Sequence, residues 1–379
     1  MAVTNWPAGI ASAGVAAGIK AEGLDLGVIV GEAPLTWAGV FTRNAAAAAC
    51  VGWDRARLGA PVRVLVVNSG NANACTGAAG EAAVRETAQA TAAALGCEPE
   101  EVLVASTGPI GVPLDAGKIA GSIPHALAAL SGSAESFAQA IVTTDTYTKV
   151  AVSPGTPTFV GVAKGAAMVA PGMATMLAFV ATDAAVTHAE LQGALAPAVE
   201  RSFNRICIDG CESTNDSVIC LTTGTVACGP ERLASGLQDV CNQLALAIAR
   251  DAEGGTKLVR VQVTGASDES TAAGFGRAIA SSSLWRAAVH GADPNWGRVL
   301  AALGAHDRSL DLASVEIAIG PETVFKFGEV VGSLEAARKA MDEDSFELSC
   351  VVGSGPGAAE VLTADLSPAY VTLNALGAT

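Results

Sequence analysis

An uncharged run near the middle of the chain limits the folds that this sequence can adopt. Eighteen residues without a charged side chain lie between Lys164 and Asp183, which is close to the shortest length that spans a membrane as a helix. Pro171 and Gly172 interrupt the run, and both residues disfavour the interior of a regular helix. The run therefore predicts a buried strand, a turn and a second buried strand.

The composition predicts a large globular protein. The chain has 379 residues, of which 50% are hydrophobic, and a formal net charge of −15, so it can form one large or two medium domains. The acidic balance and the absence of a basic run longer than two residues argue against nucleic acid or an anionic membrane as a partner. No basic region precedes an apolar stretch at the start, so we expect a cytoplasmic location.

The cysteines and histidines do not form a recognisable metal or catalytic pattern. The nine cysteines are scattered, and in a reducing compartment they are expected to be free buried thiols. Cys207 and Cys211 have C-x-x-x-C spacing, but no second Cys or His pair lies close in sequence, so zinc is not expected. The four histidines do not cluster either. We therefore predict no metal site and no Ser-His-Asp triad.

Strand and helix patterns alternate along the chain. The segments predicted as buried strands include 63–67, 101–105 and 258–263, and those with helical spacing include 81–95, 135–141, 188–203, 230–252 and 271–281. Neither a repeat nor a low-complexity linker separates them. This alternation predicts an α/β or α+β protein built from layered sheets.

The candidate chemistry of the uncharged run centres on Ala174 and Thr175. A threonine hydroxyl is a poor nucleophile unless a base lies beside it, and the free α-amine of an N-terminal threonine can be that base. Attack of the Thr175 hydroxyl on the Ala174 carbonyl would give an ester, and hydrolysis of this ester would release the amine. From the spacing alone, an ordinary strand threonine is the commoner interpretation.

Two further segments carry candidate residues whose patterns have ordinary explanations as well. Thr107 and Gly108 follow a predicted strand, where a hydroxyl and a backbone N–H can stabilise an oxyanion, although the pattern is typical of a turn. Glu253 stands beside two glycines at the end of a predicted helix, which is typical of a solvated charge.

Several motifs resemble those of one enzyme family. The run K-G-A-A-M-V-A-P-G-M-A-T-M-L from Lys164 closely resembles the self-cleavage segment of the glutamate N-acetyltransferase / ornithine acetyltransferase family. Other similar segments are N-S-G-N-A-N-A-C-T-G, S-T-G-P-I-G, T-T-D-T, D-G-C-E-S-T-N-D-S-V, D-A-E-G and D-P-N-W-G-R. Together they cover nearly all of the chain. Departures are Ala167 in place of glycine, Cys211 in place of an acid, and a C-terminus without the usual acidic-aromatic pair.

The resemblance implies a layered αββα-type sandwich and self-cleavage. Cleavage between Ala174 and Thr175 would give an alpha chain, residues 1–174, and a beta chain, residues 175–379, which share one core. Thr175 would be the nucleophile, and Thr107 and Gly108 would form the oxyanion hole. The substrate-binding residues implied by the family motifs are Thr143, Lys164, Thr175, Glu253, Asn374 and Thr379.

The resemblance also implies the reaction. An acetyl group would move from N2-acetylornithine to glutamate through an acetyl-threonine ester, as a step of arginine biosynthesis. No cofactor is needed, although some family members also accept acetyl-CoA, and the sequence leaves that question open. The expected partners are these small molecules, the two fragments and further copies of the cleaved pair in a homo-oligomer.

Three alternatives remain at the level of the sequence. The first is an acyl-exchange paralogue in another amino-acid or secondary-metabolite pathway, which the divergent C-terminus favours. The second is a self-processing aminopeptidase of similar fold, which would use water as the acyl acceptor. The third is a non-catalytic scaffold that never cleaves itself.

Overall fold

The computed structural model describes residues 4–168 and 176–376. The strands in this part of the chain are β1 (Ile10–Val15), β2 (Leu26–Phe41), β3 (Val62–Ser69), β4 (Val102–Thr107), β5 (Lys149–Ser153), β6 (Phe159–Lys164), β7 (Leu177–Ala185), β8 (Ile206–Cys207), β9 (Ser217–Ala227), β10 (Leu258–Ala266), β11 (Glu316–Ile319), β12 (Glu322–Lys326), β13 (Glu329–Val330), β14 (Ser345–Val351) and β15 (Gly357–Ala364). The α-helices are α1 (Ala49–Arg55), α2 (Gly77–Leu95), α3 (Ala116–Ala128), α4 (Glu135–Ile141), α5 (His188–Glu200), α6 (Pro230–Arg250), α7 (Glu269–Ala280), α8 (Ser283–His290), α9 (Trp296–His306), α10 (Leu334–Met341) and α11 (Pro368–Leu376).

The strands form two mixed sheets. Sheet 1 has the order β4-β3-β2-β9-β7-β6-β5, with β1 paired to β2, and sheet 2 has the order β13-β12-β11-β14-β10-β15-β8. Pairs β3–β4, β7–β9, β10–β14 and β8–β15 are parallel, and the remaining pairs are antiparallel. None of the helices in the described ranges is long and apolar enough to cross a membrane.

Helices pack against both faces of sheet 1 because successive side chains of a strand point to opposite faces. Leu177 and Phe179 of β7 pack with the core formed by α1 to α4, whereas Ala178 and Val180 pack with α5 and α6. Helix α6 also contacts β8 and β15 of sheet 2, and α7 and α10 cover sheet 2. The predicted α/β (α+β) fold, a layered sandwich of the αββα type, is confirmed, and α6 contacts strands of both sheets.

The uncharged run differs in part from its prediction. The second strand predicted in the run is observed as β7. The strand that precedes it, β6, lies outside the run because it ends at Lys164. β6 ends before Gly165 because the φ of this glycine, +147°, departs from the extended strand conformation and is unfavourable for other residues. The N–H of Gly165 donates to Asp145 Oδ1 at 2.7 Å instead of continuing the sheet.

The nine cysteines are free, but they are not all buried as expected. Cys75 and Cys211 are exposed. Cys75 has a φ of +58° in the polar loop before α2, and Cys211 lies in the loop between β8 and β9. Both positions are set by loop geometry, and a cysteine pattern alone carries no information about it.

Candidate active site

A cavity of about 270 Å³ brings together five of the residues predicted from the motifs. Its walls include Thr107 and Gly108 at the end of β4, Lys164 at the end of β6, Thr143 after α4, and Asn374 in α11. These residues come from distant parts of the sequence, so the shared cavity supports reading them as one site.

Thr107 and Gly108 are held at the end of β4 by the loop that follows β3. Asn71 N donates to Thr107 O at 3.0 Å. A Cβ added to Gly108, whose φ is +140°, would lie 2.4 Å from Asn71 N, so only glycine fits there. Thr107 Oγ1 accepts from Lys164 Nζ at 3.2 Å. Since a hydroxyl that accepts one bond can still donate its proton, Thr107 can stabilise negative charge in the cavity.

The polar loop after β3 and the segment after β8 fix this arrangement together. Asn68 Nδ2 donates to Asn71 O at 2.8 Å, and Asn68 Oδ1 accepts from Ser106 Oγ at 2.7 Å. Asn215 Nδ2 donates to Ala72 O at 2.6 Å and to Ser106 O at 2.8 Å. The Asn-rich loop therefore lies beside the site, and Asn215 of the D-G-C-E-S-T-N-D-S-V motif connects it to β4.

Lys164 is buried beside a group of buried charges. Burial lowers the pKa of Lys164, and the nearby Asp145 opposes this shift. Burial alone would raise the pKa of Asp145, but Lys164 and Lys149 hold that pKa below its ordinary value. Lys149 Nζ contacts Asp145 Oδ1 at 2.6 Å and Asp251 Oδ2 at 2.5 Å. This ion group ties the T-T-D-T segment to the end of α6.

Ala174 and Thr175 lie outside the described residues, and the described chain resumes at Met176. Met176 is buried, and its N–H donates to Asp216 Oδ1 at 3.0 Å. Burial raises the pKa of Asp216 well above its ordinary value, although the bond from Met176 and the charge of Lys164 oppose that shift. Met168, on the other side of the gap, lines the cavity.

Asn374 lines the cavity, whereas Glu253 does not and reaches the site through its contact with Asn374. Asn374 Nδ2 donates to Glu253 Oε2 at 2.8 Å, and Glu253 N donates to Ala166 O at 2.8 Å. A Cβ added to Gly254 would lie 2.4 Å from Tyr370 N, so this glycine allows the close approach of α11. Thr379 lies outside the described residues.

Sequence reasoning did not assign several residues of this site. Lys20, Asp209, Asn215 and Tyr370 line the cavity, and Asp216 holds the backbone of Met176. Three of these five belong to the D-G-C-E-S-T-N-D-S-V motif, which was recognised without roles for its residues. Lys20 stands in a segment whose local pattern gives no functional signal, whereas Tyr370 begins the family-like segment Y-V-T-L-N that supplied Asn374.

The D-P-N-W-G-R motif has a structural role. Asn295 caps α9, and Trp296 stacks on Phe325 with ring centroids 5.0 Å apart. His290 Nδ1 lies 2.7 Å from Asp365 Oδ2. None of these residues lines the cavity. Within residues 4–168 and 176–376, no group of three or more His, Cys, Asp or Glu side chains could hold a metal ion.

Comparisons with known proteins identify the family. The arginine biosynthesis bifunctional proteins ArgJ of Thermus thermophilus and Deinococcus radiodurans are 43% and 42% identical to this chain over 98% of it, and the matches span 98% and 97% of those proteins. The solved structure of the ArgJ protein from Bacillus halodurans is 39% identical with a TM-score of 0.50, and the match covers 52% of this chain and 97% of that one. The ArgJ family profile matches residues 11–379, and the chain belongs to the ArgJ family.

Proposed function

We propose that this protein is a self-processing acyltransferase that moves an acetyl group from N2-acetylornithine to glutamate in arginine biosynthesis. The observation that carries the proposal is that Thr107, Gly108 and Lys164 line one cavity with Met168, which lies just before the predicted cleavage position. The relatives named as arginine biosynthesis bifunctional proteins support the same pathway.

Self-cleavage would create the nucleophile. The Thr175 hydroxyl attacks the Ala174 carbonyl carbon, the peptide C–N bond breaks, and the nitrogen takes the hydroxyl proton to become the free α-amine. Water then hydrolyses the ester between Ala174 and Thr175. The buried Asp216, which holds the N–H of Met176, would keep the peptide after Thr175 fixed during this step.

Acetyl transfer would then proceed in two halves. The α-amine of Thr175 takes the proton from its own Oγ, and Oγ attacks the acetyl carbonyl. Thr107 and Gly108 stabilise the oxyanion, ornithine leaves with the proton, and the acetyl group stays on Thr175. The amine of glutamate attacks this ester by the reverse sequence, which regenerates the enzyme. The protein itself carries the acyl group, so we propose a mechanism without a cofactor.

The substrate contacts follow from charge and position. Lys164 would bind the α-carboxylate next to Thr107, with Thr143 beside it on the cavity wall. Glu253, held by Asn374, would bind the side-chain ammonium of ornithine. We propose that Asn374 and Thr379 close over the amino-acid end of the substrate, and that hydrogen bonds and charge hold it there.

The two proposed fragments, 1–174 and 175–379, would remain one folded unit. Strand β7 begins just after the cleavage position and pairs with β6 on one side and β9 on the other. Strand β2 of the first fragment also pairs with β9 of the second. Separation of the fragments would therefore break sheet 1. We propose that such cleaved pairs assemble further into a homo-oligomer.

An acyl-acceptor assay tests the proposal. The protein is given acetylornithine with glutamate, acetyl-CoA with glutamate, or acetylornithine with water alone. Fast transfer from acetylornithine to glutamate is the expected result, with parallel lines in double-reciprocal plots. The reaction with acetyl-CoA and glutamate shows whether the enzyme also accepts acetyl-CoA as an acetyl donor. Hydrolysis of acetylornithine without transfer to glutamate would instead indicate water as the acyl acceptor, as expected of an aminopeptidase, and no reaction together with an uncut chain would indicate a scaffold.

A further inference from the structure

A second lysine, Lys20, lines the cavity together with Lys164, and the sequence motifs give it no role. Lys20 lies in the segment between β1 and β2. Its backbone N–H donates to Asp25 Oδ2 at 2.8 Å, and its Nζ donates to Val142 O at 3.1 Å. A Cβ added to Gly70 would lie 2.6 Å from Lys20 Cγ, so the aliphatic stem packs closely on the cavity wall. The side chain is therefore held in place before any substrate arrives.

The ammonium group of Lys20 has the capacity to bind an anion. A lysine ammonium carries three N–H donors, so it can hold Val142 and still bind a carboxylate. The positive charge of Lys20 also repels that of Lys164, and this repulsion contributes to the lowered pKa of Lys164. Two ammonium groups that repel each other across a cavity are stabilised when a carboxylate binds between them or beside each.

The side chains of the two proposed amino-acid substrates carry opposite charges. Glutamate has a carboxylate, and ornithine has an ammonium group. Lys164 suits the α-carboxylate that both share. Among the cavity-lining residues that the structure describes, Lys20 is the other lysine, and arginine is not represented. We infer that Lys20 binds the side-chain carboxylate of the acceptor and selects a dicarboxylic amino acid in the second half-reaction. This inference rests on the proposed transfer to glutamate.

Separate measurement of the two half-reactions tests the role of Lys20. In ping-pong kinetics, kcat/KM for each substrate reports only the half-reaction of that substrate. Lys20→Met keeps the aliphatic stem and removes the charge, so kcat/KM for glutamate should fall about 10- to 100-fold, the effect of losing one charged hydrogen bond. The value for acetylornithine should change by less than about threefold. Lys20→Arg should recover most of the glutamate activity because the charge is restored.

A matched control exists in the same region. Lys118 is exposed, donates from Nζ to Gly18 O at 2.7 Å, and does not line the cavity. Lys118→Met should leave both kcat/KM values unchanged. A decrease for glutamate in this variant as large as in Lys20→Met would mean that only the net charge near the cavity matters, and it would overturn the assignment.

A comparison of acceptors tests the inference without relying on the stability of a variant. Wild-type protein should use glutamate about 10- to 100-fold better than glutamine, which lacks the side-chain charge, and Lys20→Met should lose that preference. Equal use of the two acceptors by the wild type would overturn the role of Lys20 while leaving acetyl transfer intact. Wild-type protein that transfers no acetyl group to glutamate would overturn the proposed function and this inference together.

Discussion

The two sheets draw their strands from the chain in different ways. Sheet 1 combines β1 to β6, which precede the proposed cleavage position, with β7 and β9, which follow it. Every strand of sheet 2 comes from the part after that position. Thr107 and Lys164, at the ends of two sheet 1 strands, line the cavity, and the segment after sheet 2 adds Tyr370 and Asn374 through α11. The proposed chemistry therefore lies where the two parts of the chain interlock.

The sheets also differ in the burial of their charges. In sheet 1, the side chain of Lys149 in β5 is fully buried between Asp145 and Asp251. In sheet 2, Lys326 of β12 pairs with Glu316 at 3.0 Å, and the Lys326 side chain is 43% exposed. The loss of a partner destabilises the fold far more when the remaining charge is buried than when it is exposed. The same substitution should therefore lower the free energy of unfolding more in the buried pair than in the exposed one.

The largest expected effect concerns Thr175. Thr175→Ala should give one uncut and inactive chain, whereas Thr175→Ser should still be cut because a hydroxyl remains. For the wild type, mass spectrometry under denaturing conditions should show fragments 1–174 and 175–379. Native mass spectrometry should show them together, since β6, β7 and β9 are paired in sheet 1. Active protein that consists only of the full-length chain would contradict the mechanism.

The next effect compares one lysine from each sheet. Lys149→Met should lower the free energy of unfolding by about 3–5 kcal/mol, because buried Asp251 would lose its ion pair and Asp145 would keep only the nearby charge of Lys164. Lys326→Met should lower it by less than about 1 kcal/mol, because solvent screens the exposed pair. Denaturant titration of both variants measures the difference. Similar losses in the two variants would mean that the buried ion group does not distinguish the sheets.

A smaller catalytic effect is expected at the oxyanion site. Thr107→Val keeps the shape of the side chain at the end of β4 but removes the hydroxyl, so turnover should fall roughly 10²- to 10³-fold. Thr182, a threonine on β7 of the same sheet, donates from its hydroxyl to Thr158 O at 2.8 Å and does not line the cavity. Thr182→Val therefore serves as the control and should keep its turnover. Unchanged turnover in Thr107→Val would reduce Thr107 to a turn residue.

The smallest effect tests what the segment after sheet 2 contributes. Asn374→Ala removes the bond to Glu253, and KM for acetylornithine should rise about tenfold, the value of one hydrogen bond to a charged group. Self-cleavage should remain, since the proposed reaction needs only the local segment around Thr175. Thr372→Ala, a change on the same helix at an exposed residue outside the cavity wall, is the control. Loss of cleavage in Asn374→Ala would show that α11 also supports processing.

The sequence by itself determined the local elements and the family. Continuous apolar runs predict β3 and β4 as buried strands, and helical spacing over 81–95 predicts most of α2, which ends before Gly96 with its φ of +75°. These patterns are local because strand and helix periodicities involve residues only a few positions apart. The motifs likewise named Thr107, Gly108 and Lys164 as candidates.

Only the tertiary structure decided which residues share the cavity. The bond from Asn215 to Ala72 joins residues 143 positions apart, and the contact between Met176 and Asp216 joins the residues that directly precede the paired strands β7 and β9. Lys20 lies between β1 and β2, far from Lys164 in sequence, yet both residues line the same cavity. The local pattern of a segment predicts its secondary structure. The environment of a charged side chain depends on contacts with distant segments, and local periodicity does not predict these contacts.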